Sequence, residues 1–189
     1  MNDRFFIVGI GASAGGQKSL CEFFEHITVY ENVAFVVITH LMRNRRSILN
    51  QILAKHTFIP VIRMENDMPI LPGNIYVMAE NITIELSQGW IRVKRRDDRI
   101  ENDAVDIFFT SLANDSKEKA IGIILSGGGK DGLKGSLQIN HTGGNVFVED
   151  PDSAEVNGMP LSIVIWDHPV LIKKPMDLAR EINLLCASQ

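Results

Sequence analysis

Three polar residues of the chain have the side chains of a nucleophile, a base and an acid, and each follows an apolar run. They are Ser13 after the run 5–10, His40 after the run 33–38, and Asp131 after the run 120–125. A serine hydroxyl is a weak nucleophile that needs a base, and the base needs an acid to fix its tautomer and stabilise the imidazolium. If the runs are parallel strands, their carboxyl ends meet at one edge of a sheet, and we expect the three side chains to share one crevice.

The glycine-rich segment after the first run admits three interpretations. Gly9-x-Gly11-x-x-Ala14 meets a relaxed dinucleotide fingerprint, in which glycines let the backbone approach a pyrophosphate. Gly11-x-Ser13-x-Gly15 meets the nucleophile-elbow pattern, which places a serine on a tight strand-to-helix turn. The third interpretation is a plain glycine turn whose serine caps the following helix. The segment alone leaves all three open.

The end of the second run separates these interpretations. A dinucleotide site needs Asp or Glu about 20 residues further on, where it binds the ribose hydroxyls. The chain has Thr39-His40-Leu41 at that place and no carboxylate. A lone histidine is more often structural than catalytic, but ligands of open α/β sheets bind at this edge. The pattern therefore disfavours a nucleotide-binding domain and strengthens the case for a functional His40, while a structural His40 stays open.

The segment Leu125–Gly132 is a second glycine-rich turn after an apolar run. It is not a phosphate-binding P-loop, because Ile124 stands where a glycine is needed and Asp131 replaces the Ser or Thr that holds magnesium. What remains is a flexible turn that delivers a carboxylate to the start of a helix. An aspartate there is stabilised by the helix dipole whether or not it does chemistry, so a purely structural role stays open.

Apolar runs alternate with helical spacing along the chain and predict an α/β fold with a doubly wound, mostly parallel sheet in three layers. The predicted strands are 5–10, 33–38, 120–125 and 145–148, and the predicted helices are 16–27, 47–55, 105–112, 133–139 and 176–185. A change of pattern around 74–94 predicts a small antiparallel β meander of strands 75–77, 82–86 and 90–93. We expect one domain over residues 1–189.

Composition excludes several classes of protein. With 189 residues and 45% hydrophobic content the chain can bury a core, and a net charge of -4 gives no general footprint for nucleic acid. No run reaches the ~18 apolar residues of a membrane span, and the N-terminus does not resemble a signal peptide. Cys21 and Cys186 are predicted to be reduced thiols of a cytosolic protein. The other histidines lack metal-ligand spacing: His26, His56, His141 and His168.

Seven short motifs occur in order along the chain. They are GASAGG (11–16), THL (39–41), LPGNIYV (71–77), VDIFF (105–109), LSGGGKDG (125–132), EDP (149–151) and GMP (158–160). Together they resemble the catalytic domain of the chemotaxis protein-glutamate methylesterases, the CheB family, and most of all the type fused to a CheR methyltransferase. The resemblance extends from about Arg4 to about Leu185.

The resemblance implies a Ser-His-Asp triad of Ser13 as nucleophile, His40 as general base and Asp131 as orienting acid. It implies hydrolysis of γ-glutamyl methyl esters on the cytoplasmic helices of chemoreceptors and, in some members, deamidation of glutamines. No cofactor or metal is implied. The receiver domain that commonly precedes such enzymes and gates them by phosphorylation is not expected in this chain, which is either a stand-alone enzyme or part of a fusion.

Acyl transfer also needs donors for the developing negative charge. We expect them at the Ala14 backbone N–H and at an N–H of the turn 127–129, with Gly128 and Gly129 as candidates. Met159, in the motif GMP, is predicted either to line the crevice or to fill the core.

Three positions depart from the family pattern. Ala14 stands where threonine often follows the serine, Thr39 where glutamine commonly precedes the histidine, and Gly128 where a larger residue, commonly methionine, is usual. The glycine adds backbone freedom to the turn and removes a side chain near the expected site. A catalytically silent binding or regulatory module is therefore the alternative to an esterase, and the intact triad argues against it.

Basic residues follow the predicted base. Arg43, Arg45 and Arg46 either meet the acidic surface of a receptor helix or form a solvated loop, and the second interpretation is favoured because exposed charges usually contribute little.

Overall fold

The computed structural model of the protein describes residues 5–28, 30–40, 46–96 and 103–187. The strands, in chain order, are β1 (Phe6–Ala12), β2 (Val33–Thr39), β3 (Val61–Met64), β4 (Met68–Pro69), β5 (Asn74–Met78), β6 (Ile82–Ser87), β7 (Trp90–Arg95), β8 (Ala120–Ile124), β9 (Asn145–Glu149) and β10 (Leu171–Lys173). Seven of them form a parallel sheet in the order β10-β9-β8-β1-β2-β5-β3. The other three form a small antiparallel sheet in the order β4-β7-β6.

Helices cover both faces of the parallel sheet. They are α1 (Gly16–Glu25), α2 (Leu49–Leu53), α3 (Ala104–Ser116), α4 (Leu133–His141), α5 (Gly158–Trp166) and α6 (Pro175–Ala187). One apolar core lies between the sheet and α1, α2 and α6, and a second lies between the sheet, α3, α4, α5 and the small antiparallel sheet. The predicted doubly wound, three-layer α/β class is confirmed. Within the described ranges, no helix is long and apolar enough to cross a membrane.

Two glycines of β1 serve the packing of α3. A Cβ on Gly9 would lie 3.0 Å from ring carbons of Phe108 and Phe109, and a Cβ on Gly11 would lie 2.5 Å from Cγ1 of Val105. The glycines therefore let α3 approach the central strand closely. This role accounts for the spacing that resembles a dinucleotide fingerprint, because both residues lie within the strand rather than in the turn after it.

The small antiparallel sheet differs from its predicted bounds of 74–94. The segment predicted as its first strand, Ile75–Val77, belongs to β5 in the parallel sheet, and β4 takes its place in the small sheet. Four of the five residues of β5 are buried, which is typical of a parallel strand covered on both faces. Because the turn between β5 and β6 is short, the sequence resembles that of a hairpin, although the two strands lie in different sheets.

Other elements also differ from the prediction. Helix α2 covers only Leu49–Leu53 of the predicted 47–55. Strands β3 and β10 and helix α5 were not predicted at all. Helix α5 (GMPLSIVIW) is apolar on nearly all sides, so it shows no amphipathic period, and the two strands are short and lie at the edges of the sheet.

Candidate active site

The turn between β1 and α1 presents Ser13 without using its side chain for capping. The Ser13 N–H donates to the carbonyl oxygen of Ser126 over 2.9 Å, and the Gly16 N–H donates to the carbonyl oxygen of Ser13 over 3.0 Å. Gly15 is the N-cap of α1 with a φ of 74°, and among the described residues no side chain caps this helix. The interpretation of Ser13 as a helix cap is therefore wrong.

Ser126 holds the turn in place from the neighbouring strand end. Its hydroxyl donates to the carbonyl oxygen of Ala14 over 2.8 Å and accepts the Val156 N–H over 3.0 Å. Its own N–H donates to Oε2 of Glu149 over 2.8 Å, and Oε1 of the same carboxylate accepts the Ser19 hydroxyl over 3.1 Å. Burial raises the pKa of Glu149 above its usual value. Both Ser126 and Glu149 lie in motifs quoted above, but sequence reasoning assigned them no role.

His40 and Asp131, which are 91 residues apart in sequence, form a hydrogen bond. His40 Nε2 lies 2.6 Å from Oδ2 of Asp131, with the two side chains 20% and 6% exposed. A carboxylate only accepts, so Nε2 carries the proton of a neutral imidazole and Nδ1 keeps a free lone pair. The arrangement fixes the tautomer and makes Nδ1 the basic atom.

Asp131 is held by a neighbouring helix rather than by its own. Its Oδ2 also accepts the Val105 N–H over 3.0 Å, and its Oδ1 accepts the Asp106 N–H over 2.9 Å. Both amides belong to the first turn of α3, where a negative charge is favoured by the helix dipole. Helix α4, which follows Asp131, begins at Leu133, and its N-cap residue is Gly132, so Asp131 does not cap it.

A cleft of about 420 Å³ connects the candidate nucleophile and base. Its lining residues come from the ends of β1 and β2, from α1, and from α2 and the segment before it: Ser13, Gln17, Leu20, Thr39, His40, Arg46, Ser47, Ile48, Leu49 and Ile52. The Thr39 hydroxyl is buried and meets no hydrogen-bond partner within the described part of the chain. The cleft thus combines a largely apolar wall with three hydroxyl side chains, of Ser13, Thr39 and Ser47, and an imidazole, which suits a short acyl chain ending in an ester or amide.

A partly buried ion pair supports the segment that forms one wall of the cleft. Arg63 Nη2 lies 2.6 Å from Oε2 of Glu80, and Arg63 Nη1 donates to the carbonyl oxygen of Ser47 over 3.1 Å. The same Glu80 oxygen accepts the Ser47 N–H over 3.3 Å. The pair therefore ties the segment before α2 to strand β3. Sequence reasoning did not find it, because the three residues are far apart along the chain.

One of the three predicted basic residues lines the cleft. Arg46 is largely exposed, and its Nη2 lies 3.9 Å from Oε1 of Glu65. Arg43 and Arg45 lie outside the described residues.

One of the predicted oxyanion donors already makes a hydrogen bond within the protein, and others do not. The Gly127 N–H donates to the carbonyl oxygen of Val156 over 2.8 Å, so it is occupied. The N–H groups of Ala14 and Gly128 meet no acceptor among the residues that the structure describes. Met159 is fully buried, and its N–H donates to the carbonyl oxygen of Gly127 over 2.8 Å. It belongs to the core beneath the turn rather than to the residues that line the cleft.

Comparison with known proteins relates this geometry to one family. The family model described as CheB methylesterase matches residues 8–182. The chain is 31% identical over 168 residues to protein-glutamate methylesterase/protein-glutamine glutaminase 3 of Pseudomonas aeruginosa, covering 88% of this chain and 50% of that protein. It is also 31% identical over 170 residues to a protein-glutamate methylesterase/protein-glutamine glutaminase 1 of Carboxydothermus hydrogenoformans, covering 86% of this chain and 50% of that protein. The chain thus spans about half the length of these curated relatives.

A solved structure has the same fold. The crystal structure of the Thermotoga maritima CheB methylesterase catalytic domain superposes with a TM-score of 0.87 at 27% identity, covering 96% of this chain and 98% of that one. A family match over nearly the whole chain and a structural match of this extent agree with each other. The chain belongs to the CheB methylesterase family.

Proposed function

We propose that the protein is a serine hydrolase that removes methyl esters from glutamate side chains of chemoreceptor cytoplasmic helices. The observation that carries the proposal is the 2.6 Å bond between His40 and Asp131 at the rim of a cleft that Ser13 also lines. The names of the two relatives describe the same chemistry.

The geometry supports an acyl-enzyme mechanism. Ser13 Oγ attacks the ester carbonyl while Nδ1 of His40 takes its proton, and Asp131 stabilises the resulting imidazolium through Nε2–H. The tetrahedral oxyanion accepts a hydrogen bond from the Ala14 N–H. When the intermediate collapses, the imidazolium gives its proton to the departing methanol. Water, deprotonated by the same nitrogen, then releases the glutamate carboxylate and regenerates the serine.

The same acyl-enzyme accounts for a second substrate. A glutamine side chain gives the identical glutamyl-serine intermediate with ammonia as the leaving group, and the relatives' names include a glutaminase activity. The proposed partners are methylated receptor helices and a CheR-type methyltransferase, in the same chain or pathway, that supplies the esters. The proposed location is the cytoplasm, where those receptor helices lie.

The decisive test is methanol release from methylated receptor fragments by the wild type and by Ser13→Ala. We expect the substitution to lower turnover by about 10⁴-fold or more, because the nucleophile is lost. Ser87→Ala, which removes an exposed hydroxyl at the end of β6, is the matched control and keeps wild-type turnover. Equal release from wild type and Ser13→Ala, with both folded by circular dichroism, would contradict the proposal and favour the silent binding module.

A further inference from the structure

Asp106 lies in the first turn of α3 and has no part in the mechanism above. Its Oδ1 accepts two backbone N–H groups of the neighbouring helix, from Gly132 over 3.0 Å and from Gly135 over 2.8 Å. Gly132 is the residue directly after the proposed acid, Asp131. The Asp106 side chain therefore fixes the backbone that carries Asp131.

The two aspartates cap each other's helices. Asp131, before α4, accepts the N–H groups of Val105 and Asp106 at the start of α3, while Asp106 accepts those of Gly132 and Gly135 at the start of α4. Four hydrogen bonds thus close a ring between the two helix N-termini. Because each carboxylate fixes the amides next to the other, moving one displaces the other.

The helices are also held close together, which leaves this ring little freedom. A Cβ on Gly135 would overlap Cβ of Phe109 and lie 3.2 Å from the Asp106 carbonyl oxygen. Gly132 has a φ of 98°, a conformation that a side chain rarely adopts. The close approach of the helices and the conformation of Gly132 therefore restrict the backbone that carries the Asp131 carboxylate towards His40.

The position of Asp106 has an electrostatic cost. Burial, foremost, and the nearby charge of Asp131 raise the pKa of Asp106 above its usual value, against the effect of its two backbone hydrogen bonds. A second carboxylate beside the acid is thus electrostatically unfavourable. A side chain at this position whose oxygen reaches the N–H groups of Gly132 and Gly135 nevertheless orients the turn that carries Asp131.

We propose that Asp106 is a positioning residue of the Ser13–His40–Asp131 site, which holds the Asp131 carboxylate in line with Nε2 of His40 through the amides of Gly132 and Gly135. The proposal rests on the proposed function, since it assigns Asp131 its role as the orienting acid. Asp106 itself touches neither the substrate nor the imidazole. It acts on the rate through the direction and length of the bond between His40 and Asp131.

The test compares Asp106→Ala and Asp106→Asn with a matched control, Asp177→Ala. Asp177 is likewise an acid in the first turn of a helix, α6, where it pairs with Arg180 over 2.8 Å. Two readouts are taken on each folded variant. One is kcat and KM for methanol release, and the other is the low-field proton resonance of the His40 Nε2–H, assigned by its absence in His40→Gln.

We expect Asp106→Ala to lower kcat by about 100-fold with KM unchanged, because a misplacement of about 1 Å at a catalytic group has this size of effect. The Nε2–H resonance should weaken or vanish through faster exchange with water. Asp106→Asn should restore most of kcat and the resonance, since its amide oxygen can accept the same two N–H groups. Asp177→Ala should match the wild type in both readouts.

A purely structural cap would give a different pattern. If Asp106→Ala lowers only the melting temperature and keeps kcat and the resonance, the proposal is overturned. If Asp106→Ala does not fold, Asp106→Glu takes its place: its longer side chain displaces the acceptor, and wild-type kcat and resonance in that variant would overturn the proposal equally. If the wild type releases no methanol, the proposed function fails, while the resonance still decides whether Asp106 positions Asp131.

Discussion

The two sides of the cleft differ in how their polar groups are satisfied. On the acid side, the buried Asp131 carboxylate receives three donors, from His40 and from the first turn of α3. On the nucleophile side, the hydroxyls of Ser13 and Thr39 have no hydrogen-bond partner among the described residues, although the backbone of the Ser13 turn is well anchored. The groups that orient the base are saturated within the protein, whereas the hydroxyls of Ser13 and Thr39 are left without a partner in the described part of the chain.

After Ser13→Ala, the largest effect is expected on the acid side. Asp131→Asn keeps the size of the side chain but can present an N–H to His40, which favours the wrong tautomer of the imidazole. We expect kcat for methanol release to fall by about 10⁴-fold, the size of loss seen when a triad acid is replaced by its amide. A fall of less than 10-fold in a variant with normal circular dichroism would mean that the bond to His40 does not orient the base.

An intermediate effect is expected on the open side. Thr39→Val replaces the buried, unpartnered hydroxyl by a methyl group of similar size. If the hydroxyl bonds the substrate, its loss should lower kcat/KM by about 5-fold, because a net hydrogen bond contributes about 1 kcal/mol. Thr39→Ser, which keeps the hydroxyl, should retain most of the activity. An unchanged kcat/KM in Thr39→Val would show that the open hydroxyl does not contact the substrate.

The smallest effect is expected at the turn between the two sides. A Cβ on Gly128 would lie 3.8 Å from Val156 Cγ1, an ordinary contact, and the φ of Gly128 is not in the left-handed region. Gly128→Ala should therefore raise the free energy of unfolding by about 0.4–1 kcal/mol, because alanine has less conformational freedom in the unfolded chain. Gly129, with a φ of 80°, is the matched contrast: its alanine variant should lower that free energy by about 1 kcal/mol or more. Urea titration measures both. A destabilised Gly128→Ala would mean that the departure from the family pattern at this position is structurally required.

Local patterns predicted the fold class and the strand ends that carry Ser13, His40 and Asp131, because buried parallel strands are apolar runs with polar residues at their carboxyl ends. They failed where a residue's partner is distant in sequence. The turn before α4 predicts that the dipole of α4 stabilises Asp131, but only the packing of α3 against α4 shows that Asp131 accepts the amides of α3. The same holds for Gly9, whose role depends on Phe108 and Phe109.

The placement of β5 shows a second limit of prediction from local sequence patterns. Short strands joined by tight turns look the same in sequence whether they pair with each other or with strands far away. The turn between β5 and β6 does not distinguish the pairing of β5 with β2 and β3 from the predicted pairing with β6. Burial of nearly all of β5, rather than of alternate residues, is the feature that would have favoured the central sheet.

The carboxylate beneath the nucleophile turn links folding to proton binding. Because burial raises the pKa of Glu149 in the native state, there is a pH range in which the folded protein binds a proton that the unfolded chain does not. Within that range the free energy of unfolding contributed by this group increases as the pH falls, and the gain is complete below the pKa of the unfolded chain. Above the folded-state pKa the same carboxylate is charged and buried beneath Ser126, so Glu149 contributes less to the free energy of unfolding there than it does at lower pH.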